Sequence, residues 1–420
     1  MPSSLRFLTA ARRCEIDDLQ HLAQTAELVR VCARLIHELQ RERGVSNLFL
    51  GSGGTRFAGA RAVQLAETDR VLAELRTAFE TLDARPEGVP QGTRLFSRLA
   101  YAFQGLDALA TLRARIDAMV WDTERATVAY SRLVAAWLAV VFEAADRASE
   151  PEISRLLVAL FNLMQGKEFA GQERACGAAL FAAGRADEPQ RQRLLHLIES
   201  QERCLQVFAD FAGPERATQL RQALSPEHLA EQERLRRQVA ASAGGGPLDT
   251  ALSLPWFEHC TARMDTMKAV EDSLSDDLLA LCARRTAAAR AELQTHLDIS
   301  GQLDAGAGST AFFDAPEAPY SPQHDAQHGL GPQLERSILE LVQAQSQRLQ
   351  TMADELETAR ASLNERKLIE RAKGLLMAHR QLTEDEAHKT LRTMAMNQNR
   401  RLVDVAEALL SMAAVLPSRH

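Results

Sequence analysis

The segment "LIHELQRERGVSNLFLGSGGTR" (residues 35–56) holds the pattern that decides the fold class. Leu35 and Leu39 are spaced as on one face of an α-helix, and the glycine-rich end predicts that the helix stops nearby. Between these parts lies Arg-Glu-Arg-Gly, which places Arg43 beside Gly44 and just ahead of a second apolar run. We therefore expect a helix whose end carries a charged side chain in apolar surroundings.

The same helical spacing recurs over most of the 420 residues. Hydrophobic residues make up 46% of the chain, aromatic residues only 5%, and alternating β-branched runs are nearly absent. Stretches rich in Gly, Pro and Asp break the helical pattern at 51–54, 84–92, 182–190, 212–216 and 241–249. Long helices joined by short loops pack readily as antiparallel bundles. We expect an all-α protein whose body forms two four-helix bundles, with one elongated array as the alternative.

Four consecutive parts follow from these patterns. The helical body spans residues 17–298, and a Gly/Pro-rich stretch over 299–332 predicts a flexible linker. A helix over 333–363 carries apolar side chains every seven residues, a pattern typical of a two-stranded coiled coil and hence of a homodimer. Its heptad stripe consists of Val342, Leu349, Leu356 and Leu363. A single amphipathic helix packed on its own domain is the alternative. Residues 364–416 predict a small three-helix module.

Charge is distributed unevenly between these parts. Residues 363–420 contain ten Arg and Lys against seven Asp and Glu, a net charge of +3. Because the whole chain carries −7, residues 1–362 carry −10. A basic module on an acidic body indicates separate tasks, with a nucleic-acid partner for the module.

Several function classes find no support in the sequence. We see no glycine-rich phosphate loop, zinc-binding spacing or nucleophile elbow, so we expect no enzymatic activity. The six cysteines are scattered, which fits a reducing cytoplasm. The N-terminus lacks the apolar core of a signal peptide, and no uninterrupted run of about 18 apolar residues predicts a membrane span.

Arg43 is the first candidate site residue. A buried guanidinium needs an anionic partner or several acceptors. The ordinary partner is Glu42 or another carboxylate of the bundle. The alternative is a small planar oxyanion, because a guanidinium offers donors in one plane at the spacing of two oxygens. The residues alone leave both interpretations open.

A buried anion would need a second donor, and the segment "EQERLRRQVA" (231–240) supplies three arginines. Arg234 and Arg237 share a helix face, whereas Arg236 points elsewhere, and the sequence does not choose the inward one. A weak internal echo between "QRERGVSNLFLGSGG" (40–54) and "GQERACGAALFAAGR" (171–185) leaves a duplication of the body open.

Basic residues of the last module alternate with apolar helical positions and can surround a three-helix core. They include Arg366, Lys367, Arg371, Lys373, Lys389, Arg392, Arg400 and Arg401. No aromatic residue lies between 363 and 420, which argues against base stacking on an unstructured strand. A folded nucleic acid, contacted through its shape and phosphates, fits better.

These segments resemble two known families. "LNERKLIERAKGLLMAHRQLTEDEAHKTLRTMAMNQNRRLVDVAEALL" (363–410) is similar to the ANTAR domain, an RNA-binding output module of bacterial antiterminators. "LQRERGVSNLFLGSGG" (39–54), "MQGKEFAGQERACGA" (164–178) and "LPWFEHCTARMDTMKAVEDSLSDDLLA" (254–280) resemble the NIT domain, an all-helical nitrate- and nitrite-sensing module. The two in this order resemble the family of nitrate-responsive transcription antiterminators.

The resemblance implies nitrate or nitrite as effector without a further cofactor, and a leader-RNA hairpin as partner. The family's ligand arginines carry over to Arg43 and to the "RLRR" segment, where we place the second at Arg237, with Arg236 as the one-residue alternative. For the RNA contact we expect six basic residues, namely Lys373, Arg392, Arg400, Arg401, Arg371 and Lys367. The predicted linker over 299–332 is longer than a rigid connection between the sensor and the RNA-binding module would need.

Two competing functions remain at this point. A helical protein-interaction scaffold with a dimerising tail would show little salt-dependent RNA binding, whereas an RNA-binding regulator would lose RNA affinity steeply as salt rises. A DNA-binding helix-turn-helix regulator is the weaker alternative, because no clear recognition helix is set off in "MNQNRRLVDVAEALL" (396–410).

Overall fold

A computed structural model describes most of the chain. The described residues are 3–80, 93–146, 148–223, 225–242, 246–302, 330–380, 382, 384–398 and 400–415. Every regular element in these ranges is a helix, apart from one isolated bridge between Arg185 and Pro247. The prediction of an all-α protein is confirmed.

The α-helices break at the predicted stretches 51–54, 182–190, 212–216 and 241–249, and they also end at Asp107, Asp117, Asp146 and Gln222, where no break was predicted. They are α1 Ser3–Gly51, α2 Ala58–Glu80, α3 Thr93–Asp107, α4 Leu109–Asp117, α5 Thr123–Asp146, α6 Pro151–Ala183, α7 Glu188–Ala212, α8 Pro214–Gln222, α9 Pro226–Ala241, α10 Ser253–Gln302, α11 Leu330–Arg380, α12 Glu384–Gln398 and α13 Leu402–Val415. Helix α1 continues through Gly44 to Gly51, so Arg43 lies inside the helix and not at its end.

Four helices of the first half meet around an aromatic cluster. Phe79 of α2, Phe103 of α3 and Trp137 of α5 stack edge to face, with ring centroids 5.4 to 6.1 Å apart. Helix α1 joins them through a hydrogen bond from Asn47 to Thr127 on α5, 2.8 Å long. Edge-to-face aromatic pairs add to the stability that burial already provides.

Four helices of the second half share another core. Phe181 of α6 and Trp256 of α10 lie 5.7 Å apart and pack with Leu194 of α7 and Leu235 of α9. The indole N–H of Trp256 donates to a backbone oxygen of α6 at 3.1 Å, so this buried donor is satisfied. The two groups of four helices agree with the predicted pair of bundles.

Helix α5 (Thr123–Asp146) is the one described helix whose length and apolar composition would suffice to cross a membrane. Tyr130, Trp137 and Val141 on this helix are fully buried against neighbouring helices. The apolar sequence of α5 is therefore explained by its position in the protein core.

Helix α11 runs without interruption through the predicted coiled-coil segment and into the C-terminal module. Helices α12 and α13 pack on its last turns around Ala372, Leu391 and Val405, which gives the expected three-helix core. The predicted linker over 299–332 mostly lies outside the described residues, and so does the side chain of Val342.

The heptad stripe does not form one uniform exposed seam. Leu349 is exposed, whereas Leu363 is buried by other residues of the same chain. Leu363 is therefore not available to a second chain, and a coiled-coil seam would have to end before it.

The chain divides into two compact units. The first comprises Met1–Glu27, Ala148–Ile153 and Asp276–Thr358, and the second comprises Leu28–Arg147, Ser154–Ser275 and Ala359–His420. In the first unit, Arg12 and Arg348 both bind Glu15 and Glu292 at 2.6 to 3.1 Å, which ties together α1, α10 and α11. The second unit contains every candidate site residue.

Candidate anion-binding site

Arg43 is buried within α1, about two turns before the C-terminal end of the helix, with 1% of its surface exposed. Its Nη1 donates to Glu168 Oε1 at 2.5 Å and to Ser131 Oγ at 2.8 Å, and its Nη2 donates to Glu168 Oε2 at 3.1 Å. Its Nε has no partner among the described residues. The guanidinium thus has a carboxylate partner, but this comes from α6 and not from the adjacent Glu42.

Arg174 of α6 is a second buried arginine at the same place. Its Nη1 donates to Thr261 Oγ1 at 2.9 Å, its Nη2 donates to the Gln40 backbone oxygen at 3.3 Å, and its guanidinium carbon lies 4.6 Å from the Phe257 ring centroid. It forms no ion pair with any described carboxylate. Burial, and then the charge of Arg43, lower the pKa of Arg174 to about 10. A buried cation held only by neutral groups is a ready site for an anion.

Two glycines allow the two arginines to approach each other. A Cβ at Gly44 would lie 2.5 Å from Arg174 Nη2, and a Cβ at Gly171 would collide with Arg43 Nη2. Each guanidinium therefore occupies the space left by a glycine on the opposite helix. Helices α1 and α6 come together here because neither glycine has a side chain.

The surroundings of the site repeat in the two halves of the body. Glu42 accepts two hydrogen bonds from Arg113 of α4, both 2.8 Å long. Glu173, at the equivalent position of the echo, accepts two from Arg236 of α9, at 2.7 and 2.8 Å. The consecutive residues Glu42–Arg43 and Glu173–Arg174 are thus arranged alike. In each, the Glu binds an arginine of another helix, and the Arg lies where α1 and α6 cross. This geometry agrees with an internal duplication.

Arg236, and not Arg237, is the inward member of the α9 triplet. Arg236 is buried together with Gln232, Leu235 and Val239 on one face of the helix, whereas Arg237 is exposed. Successive residues of a helix differ by about 100° in direction, so a slip of one residue moves the side chain out of the core. Our placement of the second ligand arginine at Arg237 thus disagrees with the structure.

Sequence reasoning missed Arg174 and a further arginine, Arg263 of α10. Burial, and then the charge of Arg236, lower the pKa of Arg263. Burial, and then the charge of Glu173, raise the pKa of the Cys260 thiol. Arg174, Arg236 and Arg263 act on the same thiol in the opposite direction. The "GQER" echo was the one signal that could have identified Arg174. Arg263 carried no such signal.

The six basic residues predicted to bind RNA do not share one free surface. Lys373 is buried and donates to Glu370 at 3.0 and 3.2 Å, so it is not exposed as expected. Arg401 is exposed and lies 3.4 Å from Glu365. Arg371 and Arg400 are exposed.

The remaining two, Lys367 and Arg392, bind acids of the helical body. Lys367 Nζ lies 2.5 Å from Asp146, and Arg392 Nη1 lies 2.5 Å from Glu199. Next to them, the guanidinium of Arg366 lies 4.8 Å from the centroid of the Phe161 ring. This charged and aromatic contact joins the C-terminal module to the body within one compact unit.

His388 of α12 belongs to the same contact. Its ring centroid lies 4.6 Å from that of His196, and its Nε2 lies 3.4 Å from Arg203 Nη1. Burial, and then the charge of Arg203, lower the pKa of His388 to about 3. The contact therefore requires a neutral imidazole.

Two protein families match this chain. A family model described as nitrate and nitrite sensing, NIT, matches residues 34–279, more than half of the chain. The chain belongs to the NIT family. An ANTAR domain model matches residues 357–410, so this NIT protein carries an ANTAR domain, as the sequence resemblance implied. The NIT range contains both buried arginines of the α1–α6 crossing.

Two known proteins match this chain over nearly their full length. A nitrate regulatory protein of Klebsiella oxytoca is 33% identical over 418 residues, which cover 99% of this chain and 96% of the relative. A solved structure, that of the NasR transcription antiterminator, is 32% identical and has a TM-score of 0.59, covering 99% of this chain and all of that one. The NIT–ANTAR protein is therefore of the NasR type.

Proposed function

We propose that this NIT–ANTAR protein is a cytoplasmic transcription antiterminator that binds nitrate or nitrite between Arg43 and Arg174. The ligand-bound sensor then frees the ANTAR region to bind a leader-RNA hairpin. The observation that carries the proposal is the buried guanidinium of Arg174, which has no carboxylate partner among the described residues and lies beside Arg43.

Nitrate and nitrite match the charge and shape of this centre. Arg43 and Arg174 contribute two positive charges, and Glu168 contributes one negative charge. One monoanion would complete the charge balance in surroundings of low dielectric, where an unbalanced charge is costly. A planar oxyanion can also accept two parallel hydrogen bonds from a guanidinium. Arg236, held by Glu173, would support the centre from α9.

The contact between the ANTAR region and the body supports the regulatory step. Lys367 and Arg392, two of the predicted RNA ligands, are bound by carboxylates, so they are not available to phosphates in this form. An anion that draws α1 and α6 together would favour a second arrangement only by its differential affinity for it. A coupling of about 2 to 3 kcal/mol would change RNA affinity roughly 30- to 150-fold.

We also propose a homodimer. Exposed Leu349, on the part of α11 that precedes the buried Leu363, supports self-association along this helix. Sedimentation of the full chain at micromolar concentration is expected to give twice the chain mass. A single-chain mass would remove the dimer and leave the ligand site untouched.

Calorimetric titration tests the ligand site. We expect nitrate and nitrite to bind, and chloride and sulfate to bind far more weakly. Replacing Arg174 by Ala should weaken nitrate binding roughly 100-fold or more, because one buried partner of the anion is lost. Arg237→Ala is the matched control, since it removes an exposed arginine from the segment first suspected. Equal nitrate affinity in Arg174→Ala and wild type would refute the proposed site.

A further inference from the structure

Glu168 is the least expected member of the candidate site. Its carboxylate is buried and accepts hydrogen bonds from Arg43 Nη1 and Nη2, from Gln40 Nε2 at 3.0 Å and from Gln172 Nε2 at 2.8 Å. These donors surround a planar group of two oxygens and one negative charge. A nitrite or nitrate ion presents nearly the same group.

Glu168 therefore uses the donors that the ligand would need. The two Nη groups of Arg43 are the donors of its guanidinium that have partners, and the Glu168 carboxylate takes both. A ligand cannot form parallel hydrogen bonds with the same two groups while the carboxylate holds them. Ligand binding through this Nη1–Nη2 edge of Arg43 thus requires the carboxylate to move away.

The other buried carboxylates near the centre differ from Glu168 in one respect. Glu42 and Glu173 are each held by an arginine that lies outside the α1–α6 crossing, Arg113 and Arg236 respectively. Neither of these two carboxylates forms an ion pair with Arg43 or Arg174 among the described residues. Only Glu168, among the described carboxylates, binds a guanidinium of the crossing itself.

We propose that Glu168 is an internal counter-anion that occupies the ligand's place on Arg43 and sets both the affinity and the charge selectivity of the sensor. The inference rests on the proposed function and adds a specificity-determining residue to it. When an anion arrives, the carboxylate leaves Arg43 and stays nearby, held by the amides of Gln40 and Gln172. The centre then contains two positive charges, the carboxylate and the ligand.

This arrangement selects monoanions by charge. With Glu168 present, one negative charge on the ligand brings the centre to neutrality, whereas a sulfate would leave an excess negative charge in a buried place. Without the carboxylate, the two guanidinium groups would accept a dianion. Glu168 thus lowers nitrate affinity by competition and excludes sulfate by charge.

The test is calorimetric titration of the full chain with nitrate and with sulfate. For Glu168→Gln we expect nitrate to bind roughly ten- to a hundredfold tighter, because hydrogen bonds to a charged competitor are removed. We also expect measurable sulfate binding. Glu168→Asp keeps the charge but shortens the side chain by one methylene, so nitrate binding should tighten while sulfate remains excluded.

Glu143→Gln is the matched control. It removes a buried carboxylate of α5 that lies 3.9 Å from Arg94 and, among the described residues, forms no ion pair with Arg43 or Arg174, so nitrate affinity should change less than about threefold. An equal gain in Glu143→Gln and Glu168→Gln would indicate general electrostatics and overturn the inference. A second outcome is that wild type binds nitrate, Arg174→Ala does not, and both folded Glu168 variants bind nitrate no more tightly than wild type. That outcome would overturn the inference and leave the proposed function intact. Wild type that binds no nitrate would refute both.

Discussion

Positive side chains are arranged in opposite ways in the NIT region and in the ANTAR region. In the NIT region, Arg43 and Arg174 are buried and make contacts in a packed helix crossing. In the ANTAR region, Arg392 and Arg401 are at least half exposed. Arg392 lies beside Glu199, and Arg401 lies beside Glu365 and Asp404. Breaking a buried pair costs several kcal/mol, whereas an exposed pair contributes about 1 kcal/mol or less. Opening the buried Arg43–Glu168 pair therefore needs a compensating anion, whereas a modest free energy can exchange the exposed pairs of the ANTAR region.

The largest test of this comparison concerns the glycine that permits the crossing. In Gly171→Ala, the added Cβ would meet Arg43 Nη2 and lie 3.2 Å from Met264 Cε, so the guanidinium has to shift. We expect a loss of stability of about 1 to 3 kcal/mol from overpacking. We expect nitrate affinity, measured by calorimetry, to fall by about a factor of ten or more, because oriented anion binding tolerates little displacement.

Gly374→Ala is the matched control in the other region. This glycine is also helical, but an added Cβ there meets nothing within 4 Å. Alanine is the better helix former by up to about 1 kcal/mol, so stability should stay equal or rise and nitrate binding should not change. If Gly171→Ala behaved like Gly374→Ala, the close approach of the two arginines would not matter for binding.

The contrast also shows how far sequence reasoning extends. Helical periodicity and Gly/Pro breaks predicted the helices of the body and the three-helix module, because both signals are local. The break after Asp117 was not predicted. Residues 118–122, "AMVWD", contain no Gly or Pro, and the turn there depends on a positive φ at Met119.

The site was less predictable because its partners are distant in sequence. Arg43 stood out by its own neighbours, but Glu168 binds it across 125 residues, and the adjacent Glu42 binds Arg113. Periodicity could not decide between Arg236 and Arg237, since only the packing of α9 fixes which face is buried. Long-range packing, which no local pattern encodes, selected the pairs.

The second prediction tests whether the output contact can be exchanged by protonation. In the contact, the pKa of His388 is lowered to about 3, and His196, Arg203, Lys373 and Arg392 are the charged or titratable groups that act on it. A released His388 would titrate near 6.5. Because the contact lowers this pKa, it is fully favourable above about pH 6.5 and weakens as pH falls below that value.

Hairpin binding without nitrate should therefore strengthen about tenfold between pH 7.5 and 5.5. The measurement is RNA affinity in nitrate-free buffer across this range. His388→Gln provides the control, since its affinity should be nearly independent of pH over the same interval. A parallel rise in His388→Gln would show that other groups, or the RNA, cause the effect.

The smallest expected effect concerns the exposed ion pair between Arg392 and Glu199. Glu199→Gln should raise nitrate-free hairpin affinity only about two- to fivefold, because an exposed pair contributes roughly 0.2 to 1 kcal/mol. Glu202→Gln is the control. It removes an equal charge from an exposed position one turn away on α7, where no ion pair with the ANTAR region is found among the described residues, and it should leave hairpin affinity unchanged.

Arg392→Ala breaks the same ion pair but also removes a proposed phosphate contact. Hairpin affinity should then fall, and the salt slope should decrease by roughly 0.7 to 0.9. The proposal is that Arg392 leaves Glu199 to bind an RNA phosphate. If Glu199→Gln and Arg392→Ala changed hairpin affinity in the same direction, that proposal would be wrong.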